Sequence, residues 1–308
     1  RDAIEIFILH PKGRVSNVQR RQMTTVLSAN VHNIAVDGTF DDCQDMVKSL
    51  FGDEGFRDTH NLSAVNSINW ARIMAQIVYY FWAAIELGAP DQKFVFAVPT
   101  GNFGNVYAGY AAKKMGLPIE KFIVASNEND ILTRFFESGT MSIKPVVPTL
   151  SPSMDIQVAS NFERLLFDLE GRDGAAVRAL IAKLDTGGGF DVAADICQQA
   201  GRQFSARRID DSRAMKCMKR VWRECGVLLD PHSAAGVAAA EDMLQERDAT
   251  AGSSPVICLA TAHPAKFPDA VAAATGVRPA LPEGLADLLQ RPEHVTRLAN
   301  DLAAVKEF

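Results

Sequence analysis

Short apolar runs alternate with amphipathic stretches along most of the chain. Runs rich in β-branched and aromatic residues predict buried strands at 4–9, 31–36, 93–98, 122–125 and 256–260. Helix signals follow these runs, after Ser16 and over 41–50, 65–87, up to Met115, 232–244 and 264–274. Because strands and helices alternate, we predict an α/β fold with a parallel sheet and helices on both faces.

Composition and charge narrow the class of protein. The chain has 308 residues, of which 47% are hydrophobic and 22% charged, so we expect globular order throughout. The net charge is −5 and the basic residues are scattered, which argues against nucleic acid or an anionic membrane as a partner. The longest apolar run, residues 77–87, is too short to span a bilayer. We expect a protein that is not embedded in a membrane.

Cysteine and histidine patterns bear on compartment and metal binding. The five cysteines are odd in number and show no C-x-x-C spacing, which fits a reducing cytoplasm better than a disulfide framework. The six histidines form no H-E-x-x-H or similar pattern. We therefore expect cytoplasmic localisation and no metal site.

The sequence PTGNFGN, residues 99–105, lies between an apolar strand and a helix. Gly101 and Gly104 allow a tight turn that brings backbone amides close to an anion, and the following helix offers free N–H groups. A phosphate fits such a loop. Spacing alone is equally compatible with an ordinary glycine-rich turn, and the loop matches neither the dinucleotide nor the Walker pattern.

Three further segments carry candidate site residues. LATAHPAKF, residues 259–267, offers Thr261, His263 and Lys266 at a strand end. LSAVNSINWARI, residues 62–73, opens a long helix with Asn69, a candidate cap or ligand, and with Arg72, which can bind an anion. LLDPHSAAG, residues 228–236, contains Asp230, whose expected role is to cap the next helix. Lone histidines and lysines of this kind are more often structural or solvated.

NSINWARI, PTGNFGN, DPHSAAG and TAHPAKF, in this order, resemble the threonine synthase family over essentially the whole chain. The resemblance implies a pyridoxal-phosphate enzyme of fold type II, similar to the tryptophan synthase β chain. Its reaction converts O-phospho-L-homoserine and water to L-threonine and phosphate. Carried over by position, Gly101, Asn102, Phe103, Gly104 and Asn105 would hold the cofactor phosphate.

The same resemblance implies further roles. Thr261 would hydrogen-bond the pyridine nitrogen of the cofactor. Arg72 and Lys266 are hypotheses for binding the substrate phosphate, and Asn69 and His263 are additional candidates. Lys12 and Arg14, in a basic turn, are weaker alternatives for the same phosphate. We expect a small-molecule substrate and either a monomer or a homodimer.

The chain departs from the family pattern at its N-terminal side. The family's Phe-Lys-Asp motif, which carries the lysine that binds the cofactor, does not occur, so no catalytic residue is assigned in this chain. The chain begins at Arg1 rather than Met, and we expect about a third of the enzyme to precede it. The piece alone is then expected to be inactive and to expose an apolar sheet edge.

This expectation sets the domain assignment. Residues 1–58 would be the remnant of a smaller N-terminal lobe, and residues 59–275 a cofactor-binding α/β lobe with a helical insertion at about 126–230. Residues 276–308 would form a helical tail. The glycines at 187–189 predict a mobile loop.

Two alternative functions remain open. A serine or threonine dehydratase, or a cysteine synthase, would share the fold but not the segments TAHPAKF and NSINWAR. A non-catalytic relative that binds a phosphorylated ligand would fit the missing lysine.

Overall fold

Strands and helices alternate along the chain as the apolar pattern predicts. The structure, a computed structural model, describes residues 3–66, 69–246 and 254–308. The strands are β1 (Ile6–Pro11), β2 (Val31–Val36), β3 (Phe94–Pro99), β4 (Ile119–Ser126), β5 (Thr140–Ser142), β6 (Gly189–Asp191), β7 (Phe204–Arg208), β8 (Val256–Cys258) and β9 (Thr296–Leu298). The helices are α1 (Asn17–Thr24), α2 (Phe40–Gly52), α3 (Glu54–Thr59), α4 (Trp70–Glu86), α5 (Gly104–Lys114), α6 (Ile131–Ser138), α7 (Phe162–Leu169), α8 (Gly174–Gly187), α9 (Ala194–Gln203), α10 (Asp211–Cys225), α11 (Pro231–Glu246), α12 (Pro268–Thr275) and α13 (Leu302–Glu307).

The chain divides into two compact units. One consists of Arg1–Ser63, Ala265–Pro268 and Arg278–Phe308, and the other of Ala64–Pro264 and Asp269–Val277. Arg1, Asp2 and residues 67, 68 and 247–253 lie outside the described residues, and residues 67 and 68 belong to NSINWARI.

The larger unit is built on a parallel sheet with the strand order β7-β4-β3-β8. Alternate residues of a strand point to opposite faces. Phe94, Phe96 and Val98 of β3 therefore join a core with helices α4 to α9, whereas Val95 and Ala97 join a second core with α10, α11 and α12. Helices cover both faces, which confirms the predicted α/β class.

Helix α11 packs closely on the end of β3 because its buried face is made of small residues. Ala234, Ala235, Ala238 and Ala239 are all buried. A β-carbon at Gly236 would lie 2.9 Å from Cγ of Pro99, the last residue of β3. Small side chains thus let this helix approach the sheet at the point where β3 gives way to the glycine-rich loop.

Residues 126–230 are less purely helical than expected. Helices α6 to α10 do occur there, but β7 adds to the main sheet beside β4, and β5 pairs antiparallel with β6. The triple glycine is not a loop: Gly187 ends α8, Gly188 closes it at φ +71°, and Gly189 begins β6. The left-handed conformation at Gly188 is the usual end of a helix.

The helix expected to start at Pro264 and run to residue 274 is interrupted. Pro264–Lys266 form a single 3-10 turn, and α12 begins at Pro268. A proline has no N–H to continue a preceding helix but is well suited to the first turn of a new one. Pro268 therefore sets the start of α12.

The smaller unit contains a parallel sheet with the order β1-β2-β9. Its core includes Ile34 and Val36 of β2 and Cys43 and Met46 of α2. The expectation of a helical tail over 276–308 is corrected here, because β9 in that segment pairs with β2.

Strand β1 is an edge strand that exposes apolar side chains. It pairs with β2, and its Ile6 and Phe7 are 38% and 51% exposed. Ile4, just before the strand, is 61% exposed. The sequence predicts such an apolar edge. Helix α4 of the larger unit also exposes large apolar side chains, among them Trp82 at 68% and Ile85 at 60%.

Within the described ranges, no helix is both long and apolar enough to cross a bilayer. The same residues contain no group of three or more His, Cys, Asp or Glu side chains arranged to hold a metal ion.

Candidate functional site

The loop between β3 and α5 is anchored by an aromatic side chain. Phe103, the residue before α5, adopts a left-handed backbone conformation at φ +68°. Its ring is fully buried and packs against Phe162 and Phe204 at centroid distances of 5.1 and 5.9 Å. A non-glycine residue holds this strained conformation only when its surroundings impose it. Phe103 therefore fixes the turn with its side chain, and only its backbone is available to a ligand.

The backbone amides of this loop are partly used by the loop itself. The amide of Phe103 donates to Oγ1 of Thr100, and that of Gly104 to Oδ1 of Asn102, both at 3.2 Å. Among the described residues, the amides of Asn105 and Val106 have no hydrogen-bond acceptor. These two N–H groups at the positive end of an eleven-residue helix can bind an anion.

Neighbouring residues crowd both glycines of the loop. A β-carbon at Gly101 would lie 3.0 Å from the carbonyl oxygen of Ser153 and from Cα of Met154. A β-carbon at Gly104 would lie 3.2 Å from Nδ2 of Asn161. The two glycines thus let residues 153, 154 and 161 pack closely on the loop. The amides of Asn105 and Val106 that follow the loop fit a phosphate group.

Tyr80, on α4, holds the loop by a hydrogen bond. The sequence motifs do not identify it as a site residue. Its hydroxyl donates to the carbonyl oxygen of Asn105 at 2.7 Å, and its ring is fully buried. Burial raises the pKa of the Tyr80 hydroxyl well above its usual value, so the group remains a proton donor. The signal that could have revealed it is a tyrosine at the apolar spacing of α4.

Thr261 lies at the same edge of the same sheet as the glycine-rich loop. Ala97 of β3 pairs with Cys258 of β8, and both strands are parallel, so the chain leaves them at one edge. Thr261 is exposed and lines an open pocket of about 430 Å³. The other lining residues are Val227, Leu228, Leu229, Asp230, Ser233, Ala260, Ala262, His263 and Pro264. The structure therefore brings the loop and Thr261 to the carboxyl edge of neighbouring strands, where ligands of parallel sheets bind.

Asp230, which also lines this pocket, caps α11 as predicted. Its carboxylate accepts the amides of His232 at 2.9 Å and Ser233 at 3.3 Å. Burial by itself would raise the pKa of Asp230, but hydrogen bonds from His232 and Ser233 outweigh burial and lower this pKa. Asp230 is thus a buried carboxylate anion, and its role extends beyond capping.

Asn69 and Arg72 open helix α4. Oδ1 of Asn69 accepts the amide of Ala71 at 2.9 Å, so the capping interpretation of Asn69 is confirmed. The guanidinium of Arg72 is exposed and donates to the carbonyl oxygen of Val65 at 3.1 Å. That contact leaves further donors of the guanidinium for an anion, and the substrate role of Arg72 stays a prediction.

Lys266 belongs to the smaller unit, where its carbonyl oxygen accepts the hydroxyl of Ser16 at 3.0 Å. His263 is exposed and lines the pocket beside Thr261. Lys12 forms an ion pair with Asp37 at 2.8 Å, which favours a surface role for this lysine. The assignments of Lys266 and His263 to a substrate site stay predictions.

A polar cluster after β4 is absent from the sequence-based assignments. Nδ2 of Asn127 donates to Oγ1 of Thr149 and to Oδ1 of Asp155, both at 2.8 Å. Nδ2 of Asn129 donates to the carbonyl oxygen of Val147 at 2.8 Å. These bonds hold the segment around residues 147–155 against the carboxyl edge of the sheet. The run of polar residues directly after a buried strand is the signal that could have located them.

Thiol reactivity tests which cysteines are buried in the folded chain. Burial raises the pKa of Cys43, Cys217 and Cys258 to about 11, whereas Cys225 is exposed. Because the thiolate is the reactive form, iodoacetamide at pH 8 is expected to alkylate Cys225 well before those three. Peptide mass mapping against reaction time measures this. Equal rates in the native protein would contradict the packing, and equal rates are expected only in denaturant.

These features form a candidate site for a phosphorylated small molecule, made of a glycine-rich loop and the end of a neighbouring parallel strand. The sequence matches the family description "Pyridoxal-phosphate dependent enzyme" over residues 3–180 and "Threonine synthase, C-terminal" over residues 233–308. The chain belongs to the family of pyridoxal-phosphate-dependent enzymes. The cofactor class that the sequence resemblance implies is thereby confirmed.

Similar relatives include two proteins named threonine synthase. The chain is 52% identical over all its 308 residues to threonine synthase of Pseudomonas aeruginosa and 46% identical over 284 residues to that of Saccharomyces cerevisiae. It covers 65% and 55% of those proteins, and 87% of the chain is matched in the second. The resemblance found in the sequence motifs is therefore confirmed.

Two solved structures of threonine synthases are also similar to this chain. A PLP-bound threonine synthase from Brucella melitensis has a TM-score of 0.90 at 54% identity, covering 98% of this chain and 64% of that one. Threonine synthase from yeast gives a TM-score of 0.88 at 42% identity, with the same coverage of both chains. Maize serine racemase, at 16% identity and a TM-score of 0.51, matches 83% of this chain and 64% of its own, and shares only the fold. The predicted fold type II is confirmed, and the chain spans less than two thirds of the threonine synthases named here.

Proposed function

We propose that the full-length protein is a threonine synthase, which converts O-phospho-L-homoserine and water to L-threonine and phosphate. The observation that carries this proposal is 52% identity to a threonine synthase over all 308 residues of the chain. The 16% identity to maize serine racemase supports the shared fold alone. The 52% identity over the whole chain is what favours a threonine synthase over the dehydratase alternative.

In this function the loop from Gly101 to Asn105 would hold the cofactor phosphate. The amides of Asn105 and Val106 supply the hydrogen bonds, and the α5 dipole favours the negative charge. When bound, pyridoxal phosphate withdraws electrons from the substrate carbon that loses a proton. Tyr80 and Phe103 keep the loop in position from the protein side.

Thr261 would hydrogen-bond the pyridine nitrogen. A neutral hydroxyl holds a proton on that nitrogen less firmly than a carboxylate does, which makes the ring a milder acceptor of electrons. Thr261 is exposed to the pocket, and its own amide is held by Ser233 at 3.2 Å. Both facts support a role facing a ligand.

The reaction is tested with the full-length protein and two substrates. Phosphate and L-threonine are expected in equal amounts from O-phospho-L-homoserine, and L-serine is expected to give no appreciable ammonia. Release of ammonia from serine with no turnover of phosphohomoserine would contradict the proposal and favour the dehydratase. Cofactor binding without turnover of either substrate would favour a non-catalytic ligand-binding protein.

Arg72 and Lys266 are each a candidate for the cation that binds the substrate phosphate, and each is tested by itself. A hydrogen bond to a charged group contributes about 1.5–3 kcal/mol, so each alanine variant is expected to raise the KM for O-phospho-L-homoserine about tenfold or more. Cofactor affinity is expected to remain unchanged. Steady-state kinetics and cofactor titration measure the two quantities separately.

Matched controls are available on exposed helix surfaces. Arg178→Ala on α8 and Lys48→Ala on α2 remove the same charges from helices that carry none of the proposed site residues. Both controls are expected to leave the KM unchanged. Normal kinetics in Arg72→Ala and in Lys266→Ala would remove both residues from the site.

A further inference from the structure

The carboxylate of Asp230 is fully buried and accepts every hydrogen bond in which it takes part. Oδ1 accepts the amide of His232 at 2.9 Å and its Nδ1 at 2.7 Å. Oδ2 accepts the amide of Ser233 at 3.3 Å and also the Ser233 hydroxyl. A helix cap requires only the amides. The contacts to the two side chains are additional and need an explanation.

Ser233 transmits one of these contacts to the pocket. Its only hydroxyl proton is donated to Asp230, so Oγ is free to act as an acceptor toward another group. That group is the backbone amide of Thr261, which donates to Oγ of Ser233 at 3.2 Å. The carboxylate is thereby linked through one hydroxyl to the backbone of a residue that faces the pocket.

His232 transmits the second contact to the glycine-rich loop. Its Nδ1 donates to Asp230, and its Nε2 accepts the amide of Ser153 at 3.3 Å. The carbonyl oxygen of Ser153 in turn lies 3.0 Å from the position that a β-carbon on Gly101 would take. His232 thus holds the segment that packs against Gly101.

We propose that Asp230 is a positioning residue that fixes both walls of the cofactor site, Thr261 through Ser233 and the segment over Gly101 through His232. The inference rests on the proposed function, because it assigns Thr261 to the cofactor ring. Asp, His and Ser together do not form a nucleophilic triad here. The Ser233 hydroxyl donates to Asp230 and not to His232, and Nε2 of His232 is occupied by a backbone amide.

An aspartate suits this position better than asparagine because all of its partners are donors. An asparagine would place its own N–H₂ group against the donors of His232 or Ser233, and those contacts would be lost. The hydrogen bonds to an ionised carboxylate are also stronger than those to a neutral amide oxygen. The same network therefore explains why the residue is charged although it is buried.

Ser233→Ala in the full-length protein with pyridoxal phosphate is the decisive variant. It keeps the capping of α11 by Asp230 and deletes only the hydroxyl that reaches Thr261. We expect the dissociation constant of the cofactor to rise about tenfold, corresponding to about 1.4 kcal/mol. We also expect the amide of Thr261 to exchange its hydrogen about tenfold faster, and the visible absorption band of the bound cofactor to shift. Ser233→Thr, which keeps the hydroxyl, is expected to restore all three.

Two controls separate positioning from capping. Asp230→Asn is expected to weaken cofactor binding at least as much as Ser233→Ala, whereas Asp210→Asn, at the cap of α10, is expected to leave it unchanged. Asp210 accepts the amide of Arg213 at 2.8 Å and caps its helix in the ordinary way. Equal effects of the two asparagine variants on cofactor affinity would overturn the proposal.

Hydrogen exchange at the Thr261 amide tests the inference independently of the enzyme's activity. Unchanged exchange at Thr261 in Ser233→Ala would overturn the inference even if the wild-type protein binds cofactor and turns over substrate. Failure of the wild-type protein to bind pyridoxal phosphate would instead refute the proposed function. In that case faster exchange at Thr261 in the variant would still support the link from Asp230.

Discussion

Replacing Gly104 with valine is expected to reduce the affinity of the full-length protein for pyridoxal phosphate by at least about a hundredfold, equivalent to about 2.8 kcal/mol. The new β-carbon would lie 3.2 Å from Nδ2 of Asn161 and 3.3 Å from Oδ1 of Asn102. Asn102 accepts the Gly104 amide, so relief of this crowding shifts the first residue of α5 and the amides behind it. Those amides form the proposed phosphate site.

Gly174→Val is the matched control for this variant. Gly174 is likewise the first residue of a helix, α8, and a β-carbon there has only Nη1 of Arg178 nearby, at 3.5 Å. Valine at this position is expected to leave cofactor affinity unchanged. Fluorescence titration of the apoprotein with cofactor measures both variants. Unaltered affinity in Gly104→Val would show that the phosphate binds somewhere else.

Replacing Gly109 with alanine is expected to destabilise the larger unit by about 3 kcal/mol, the upper part of the range for an overpacked core. A β-carbon at this position would lie 2.5 Å from Cε1 of Tyr80 and 2.7 Å from Cε1 of Phe122. Both rings are fully buried and cannot move aside without opening the core. Because Tyr80 also holds Asn105, we expect weaker cofactor binding as well.

Gly201→Ala gives the opposite expectation and serves as the control. Gly201 lies within α9, and a β-carbon there meets nothing within 4 Å. Alanine in an open helical position stabilises by about 0.5–1 kcal/mol. Denaturant unfolding of the two variants measures both changes. A stability loss in Gly201→Ala, or none in Gly109→Ala, would contradict the packing described for these helices.

The apolar pattern predicts β2, β3 and β4 well because a buried strand requires a continuous apolar run, but it misses β7 of the main sheet. β2 begins and ends where the sequence predicts, and β3 and β4 differ only at their ends. Strand β9 was not predicted, since three residues with alternating exposure carry no such run. Its pairing with β2 joins residues far apart in sequence, which local pattern does not encode.

Some residues of the candidate site can likewise be located from the sequence, and others cannot. The loop at Gly101–Asn105 can be located from sequence because glycines between a strand and a helix are a local signal. Tyr80 and the partners of Asp230 cannot, because their contacts depend on how separate segments pack. His232 and Ser233 stand beside Asp230 in the sequence, but their bonds to Ser153 and Thr261 arise only in the folded chain.

The exposed thiol at the end of α10 has a practical consequence. Cys225 precedes Gly226, which closes the helix at φ +67°, and Val227 already lines the pocket beside Thr261. A fluorophore attached to Cys225 would therefore stand two residues from the rim of that pocket. Such a dye gives an optical report on ligand entry without altering any group assigned to the site.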